Sequence, residues 1–140
     1  MSANRFNKLD DLSASWSPDG RFISYIGRTL TDTQIWLYDY EAKTKRRLAE
    51  KHTMPLWPSW SSDSKQLVFV SNNEGRFQLQ VLGLEDTNLV TLHTSDLTLS
   101  MPKFSRDNQK VAFIEGESLS VIDLASKQAQ QLFEGQKARV

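Results

Sequence analysis

The chain of 140 residues contains no cysteine. That excludes disulfide scaffolds, thiolate zinc sites and cysteine catalysis together. It leaves the compartment open, because a cysteine-free protein suits either redox environment. An excess of one charge is also missing, since 17 Lys+Arg cancel 17 Asp+Glu. Nucleic-acid binders normally show a basic excess and polybasic membrane-surface proteins a basic cluster, so the balance argues against both. Apolar runs stop after a few residues, far short of the roughly 20 that cross a bilayer. Met1-Ser2-Ala3-Asn4-Arg5 opens into polar residues, and no signal peptide is read in this chain. What remains is an ordinary globular mix, 39% hydrophobic and 24% charged, with four Trp among the large side chains available for burial.

The dominant feature is an internal repeat. Ser15-Trp16-Ser17-Pro18-Asp19-Gly20 and the apolar run Phe22–Ile26 return as Ser59-Trp60-Ser61-Ser62-Asp63-Ser64 before Leu67–Val70, and as Lys103-Phe104-Ser105-Arg106-Asp107-Asn108 before Val111–Ile114. Trp16, Trp60 and Phe104 are spaced by 44 and 44, as are Asp19, Asp63 and Asp107. The second halves Ile35–Tyr40, Leu79–Leu84 and Leu119–Leu124, and the closing residues Leu48, Leu92 and Leu132, are spaced by 44 and 40. The four-residue deletion in the third copy therefore falls between Ile114 and Leu119.

Each unit reads as four short strands bounded by turn residues. The second strand is apolar on nearly both faces, which places it inside a stack of sheets. A period of about 40–45 residues with four strands per unit marks β-propeller blades. The expected fold is all-β, with three four-stranded antiparallel blades of a β-propeller. Residues 1–10 form an N-terminal extension or latch strand, 11–52 blade 1, 53–96 blade 2, 97–134 blade 3 and 135–140 a tail.

The repeat resembles the TolB-type, WD-repeat-like propeller repeat of bacteria over residues 11–132. Blade 1 keeps Trp16-Ser17-Pro18-Asp19-Gly20 intact. Blade 2 keeps Pro58, Trp60, Ser61 and Asp63, with Ser62 and Ser64 for Pro and Gly. Blade 3 keeps Pro102, Ser105 and Asp107, with Phe104, Arg106 and Asn108. These residues build the blade and carry no activity of their own. Trp16, Trp60 and Phe104 are expected to fill wedges between blades. Asp19, Asp63 and Asp107 are expected to bond their own turn backbone; one per blade, they stand too far apart to share a metal.

No catalytic, metal or cofactor motif stands out. Gly116-Glu117-Ser118-Leu119-Ser120 begins like a nucleophile elbow but lacks its last glycine and sits in a hairpin. His52 and His93 read as surface residues of comparable loops after the fourth strands. Lys43, Lys45, Arg46 and Arg47 read as a solvated turn between the third and fourth strands. Strand alternation puts the long loops, Arg28–Thr33, Glu50–Pro58, Asn72–Arg76 and Thr94–Pro102, on one face. Long loops on a rigid scaffold concentrate binding, so the candidate partner-binding residues are Arg28, His52, Met54, Trp57, Asn72, Asn73, Glu74 and Arg76.

Three blades do not close a ring, which takes about four to eight, and an open arc exposes two apolar faces. The TolB-type resemblance implies a six-bladed ring, of which three blades are about half; either further blades belong to a longer protein, or a second copy completes six. The resemblance implies a non-catalytic module for protein or peptide binding, TolB-like or the periplasmic sensory part of a membrane-bound winged-helix transcription regulator. No nucleic acid would bind within this chain. The alternative is a piece of the substrate-gating propeller of a prolyl-oligopeptidase-type serine peptidase. The implied compartment is the periplasm for the first reading and the cytoplasm for the second.

Overall fold

The structure, a computed structural model, describes residues 14–28, 33–48 and 54–133. These form three four-stranded antiparallel sheets, each with its strands in sequence order. Blade 1 is β1 (Ser15–Trp16), β2 (Phe22–Arg28), β3 (Thr33–Asp39) and β4 (Thr44–Arg47). Blade 2 is β5 (Pro55–Trp60), β6 (Gln66–Asn73), β7 (Arg76–Gly83) and β8 (Leu89–Ser95). Blade 3 is β9 (Leu99–Phe104), β10 (Lys110–Glu115), β11 (Ser118–Asp123) and β12 (Ala129–Phe133).

Alternation along the strands gives every blade two faces. We call the face toward the preceding blade leading and the opposite one trailing. The trailing face of blade 1 (Ile26, Ile35, Leu37, Leu48) packs with the leading face of blade 2 (Trp60, Leu67, Phe69, Leu82, Leu84) in one core. The trailing face of blade 2 (Val68, Val70, Leu79, Val81, Leu92) packs with the leading face of blade 3 (Val111, Phe113, Ile122) in a second. Leu67, Val68, Phe69 and Val70 of β6 are all fully buried, because the middle blade has a described blade on each side. Each such side chain contributes about 1.5–3 kcal/mol by leaving water.

The same geometry corrects the expectation for Trp16. Trp60 sits in the wedge between blades 1 and 2 at 9% exposure. Its indole Nε1 donates to Ser15 O at 3.2 Å and Ser24 Oγ at 3.1 Å. Trp16 is 52% exposed, because no described blade precedes blade 1. Leu48, Leu92 and Leu132 show the mirror effect at the other end: the first two are buried and Leu132 is 49% exposed.

The strands also run further than expected. Pro55–Pro58 lies in β5, Thr94 and Ser95 end β8, and Leu99–Pro102 lies in β9, so most of what reads as joining loop is strand. The reason is a bulge in the first strands of blades 2 and 3. The β5–β6 register shifts between Leu56 and Ser59, and the β9–β10 register shifts at the same place in blade 3. A residue of positive φ sits in each bulge, Trp57 at 60° and Met101 at 54°. The extra residue breaks the two-residue alternation by which strands are recognised. Likewise His93 lies within β8 rather than in a loop, and Lys45, Arg46 and Arg47 lie on β4 rather than in a turn.

Candidate interaction site

The first strands of the three blades line one groove. Its volume is about 400 Å³, and its walls are Ala14 and Ser15 of blade 1, Trp57, Pro58 and Ser59 of blade 2, and Met101, Pro102 and Lys103 of blade 3. Trp57 is 43% and Met101 55% exposed. They occupy equivalent positions 44 residues apart. In both blades the bulge holds a large apolar side chain outward, just before the proline of the repeat. An L-residue held at positive φ costs about 1–2 kcal/mol. Each of β5 and β9 is the terminal strand of its sheet, so one row of its backbone N–H and C=O groups has no partner strand. Of these wall residues, the sequence reading singled out Trp57 for binding and missed Met101. The signal for both was the residue before Pro in the Pro-x-aromatic repeat.

The other candidates fall out as follows. Met54, 47% exposed, precedes β5, and its sulfur accepts from Thr33 Oγ1 at 3.7 Å. Pro55 pairs with Ser71, so Met54 and Asn72 lie at the same end of blade 2. Asn72 Oδ1 accepts from Gly75 N at 3.1 Å and closes the hairpin, while Asn73 and Glu74 are exposed. Arg76 pairs with Asp96 at 3.8 Å, a solvent-exposed contact. Arg28 ends β2 opposite Thr33, and its side chain lies outside the described residues, as does all of His52. A pair the sequence did not suggest joins blades 2 and 3: His93 Nε2 lies 3.3 Å from both oxygens of Glu115, with its ring 5.4 Å from that of Phe113.

At the opposite end, the repeated turns share one hydrogen-bond pattern. Ser17, Ser61 and Ser105 donate Oγ–H to Asp19, Asp63 and Asp107 at 2.6–2.7 Å. The same Asp Oδ1 atoms accept from the backbone N–H of Arg21, Lys65 and Gln109 at 3.0 Å. These bonds hold all three carboxyls below the usual Asp range, with the serine hydroxyl the leading cause. Asp39 is lowered chiefly by Arg21, which it meets at 3.0 Å. Gly20, Ser64 and Asn108 share the left-handed position of the turn. The two departures from glycine bind the preceding blade. Ser64 Oγ accepts from Asp19 N at 3.0 Å, and Asn108 Oδ1 accepts from Ser62 N at 2.9 Å. Among the described residues no cluster of three or more His, Asp or Glu could hold a metal.

Four-stranded blades stacked face to face, with the first strands along one groove, define an arc of β-propeller. The chain belongs to the TolB β-propeller family, whose domain pattern matches residues 7–138. It is similar in structure to TolB from Acinetobacter baumannii at 18% identity and a TM-score of 0.75, covering 86% of this chain and 31% of that one. It is similar to a putative TolB from Agrobacterium tumefaciens at 20% identity and 0.74, covering 88% and 50%. It is also similar to the β-propeller domain of the Trilobed protease from Pyrococcus furiosus at 17% and 0.64, covering 86% and 41%. The chain thus spans about a third to a half of the length of these structures.

Proposed function

We propose that the chain is a non-catalytic module that binds a protein or peptide at the groove and the adjoining loop end. The observation that carries this reading is the pair Trp57 and Met101, both held outward by strained bulges beside free strand edges. An extended peptide can bond to such an edge while its side chains meet apolar contacts, and backbone strain repeated at one position is a sign of function. Lys103 adds a cation to the wall and favours an acidic peptide. On this reading the module is TolB-like, or the sensory part of a membrane-bound winged-helix regulator, and works in the periplasm. A second copy of the chain is among its partners.

The test is selection of displayed peptides on the immobilised chain. Peptides should enrich that bind at micromolar affinity and lose at least tenfold on the double variant Trp57→Ala/Met101→Ala. Failure to select any peptide, or full binding by the variant, contradicts the reading. A second reading, the gating propeller of a serine peptidase, is favoured by the likeness to the Trilobed protease propeller. A Gly-x-Ser-x-Gly segment downstream in the parent reading frame would support it.

A further inference from the structure

The basic run Lys43, Lys45, Arg46 and Arg47 begins in the turn before β4 and continues along that strand. β4 ends its sheet on the side away from the groove, opposite β1. All four side chains are exposed. Among the described residues none of the four forms an ion pair. The nearby carboxylates are engaged by another cation: Asp39 meets Arg21 at 3.0 Å, and Glu41 lies 3.7 Å from the same guanidinium. In a chain whose 17 basic and 17 acidic residues cancel, these unpaired cations make a local positive patch. Contacts that leave the charges unneutralised hold three of them. Lys45 Nζ stands 5.5 Å over the Trp36 ring and Lys43 Nζ 5.8 Å over the Tyr40 ring. Arg46 Nη2 donates to Leu84 O of blade 2 at 3.1 Å.

A charged outer edge can serve only to keep a strand from pairing with other chains. The repeat argues against that reading for β4. The equivalent positions carry Thr87, Leu89, Val90 and Thr91 in blade 2, and Lys127, Ala129, Gln130 and Gln131 in blade 3. β8 and β12 end their sheets as β4 does, yet Lys127 is the one cation between them at these positions. The cluster is therefore a property of blade 1 and not of the blade pattern. Arg46 and Arg47 are forked donors, which match carboxylates in pairs.

The backbone of this edge is available too. Leu48 N donates to Ile35 O at 2.9 Å, and the same register pairs Leu37 with Arg46 and Asp39 with Thr44. By the alternation of an antiparallel ladder, Thr44 and Arg46 turn their N–H and C=O groups toward β3, and Lys45 and Arg47 turn theirs outward. A strand added here would bond to those outward groups. Its side chains would face cations on both sides, Arg46 on one and Lys45 and Arg47 on the other. Opposite charges facing across strands are favourable. We infer that β4 takes an extended acidic segment of a partner protein by strand addition, at a site separate from the groove.

Titration of the full chain with a hexaglutamate peptide, followed by nuclear magnetic resonance at neutral pH, tests this. Binding should saturate in the micromolar range at low salt and weaken as salt is added. The Lys45 and Arg47 amides should gain protection from hydrogen exchange when the peptide binds. The variant Lys45→Glu/Arg47→Glu should keep the circular dichroism of the parent, since both side chains are exposed, and lose about tenfold or more in affinity. Trp57→Ala/Met101→Ala should bind hexaglutamate as the parent does, so failure at this edge and failure of the groove are distinguishable. The inference is overturned by absence of saturable binding, by binding that leaves those two amides unprotected, by equal binding of the β4 variant, or by loss of binding on the groove variant. Tighter binding of a single-stranded DNA oligomer of equal charge also overturns it, because β4 would then be a general polyanion surface.

Discussion

Asp19, Asp63 and Asp107 each tie a serine hydroxyl and a backbone N–H into one turn, and this makes the turns sensitive to acid. The carboxyls sit below their ordinary pKa of 3.8. A carboxyl depressed in the folded state adds stability that is fully present above its unfolded pKa and is lost as pH falls through the folded one. The chain should therefore lose stability as pH drops below 3.8, and Asp39, held down by Arg21, adds to the same limb. Asp63→Asn keeps an acceptor oxygen and removes the proton site. Its urea midpoint, followed from pH 7 to pH 2, should fall less steeply in acid than that of the parent. Superimposable acid limbs would show that the turn carboxylate contributes nothing.

The repeat was legible in the sequence down to the strand, and the strand faces with it. The 44-residue spacing placed Leu67 with Phe69 and Val68 with Val70 on opposite faces, and the two cores contain those sets. The first strands were not legible over their full length, because Trp57 and Met101 bulge out of the alternation that a strand displays. Their groove was therefore hidden, although Trp57, one of its two large outward side chains, was a candidate. The binding candidates on the loops were only partly gathered: Met54 and Asn72 share one end of blade 2, whereas Arg76 turns toward Asp96. The position of an element in the stack also decides what a residue is worth, which a repeat pattern cannot show. Trp16 and Trp60 are the same motif residue. Trp60→Ala removes a buried ring and should cost about 3–5 kcal/mol. Trp16→Ala removes a half-exposed ring with one edge-to-face partner and should cost about 1 kcal/mol in the monomer. Urea unfolding in dilute solution checks the contrast, and equal losses would mean that Trp16 is covered within the chain.

At the scale of the whole molecule, the described residues form a stack in which the middle blade is covered on both faces. Blade 2 has a blade on each side, and its β6 and β7 contain Leu67, Val68, Phe69, Val70 and Leu79, all at 0% exposure. Among the described residues, the outer blades each meet one neighbour, and Trp16 and Tyr40 of blade 1 and Leu132 and Phe133 of blade 3 are exposed. Stability should therefore be graded along the chain, since amide protection follows the free energy of local opening. The most direct measurement of this arrangement is amide hydrogen exchange on the chain at submicromolar concentration. The slowest amides should be those of β6 and β7, with faster exchange in β2 and β3 and in β10 and β11. Protection in blade 1 or blade 3 equal to that of blade 2 under these conditions would contradict a stack in which blade 2 alone has a described blade on each side.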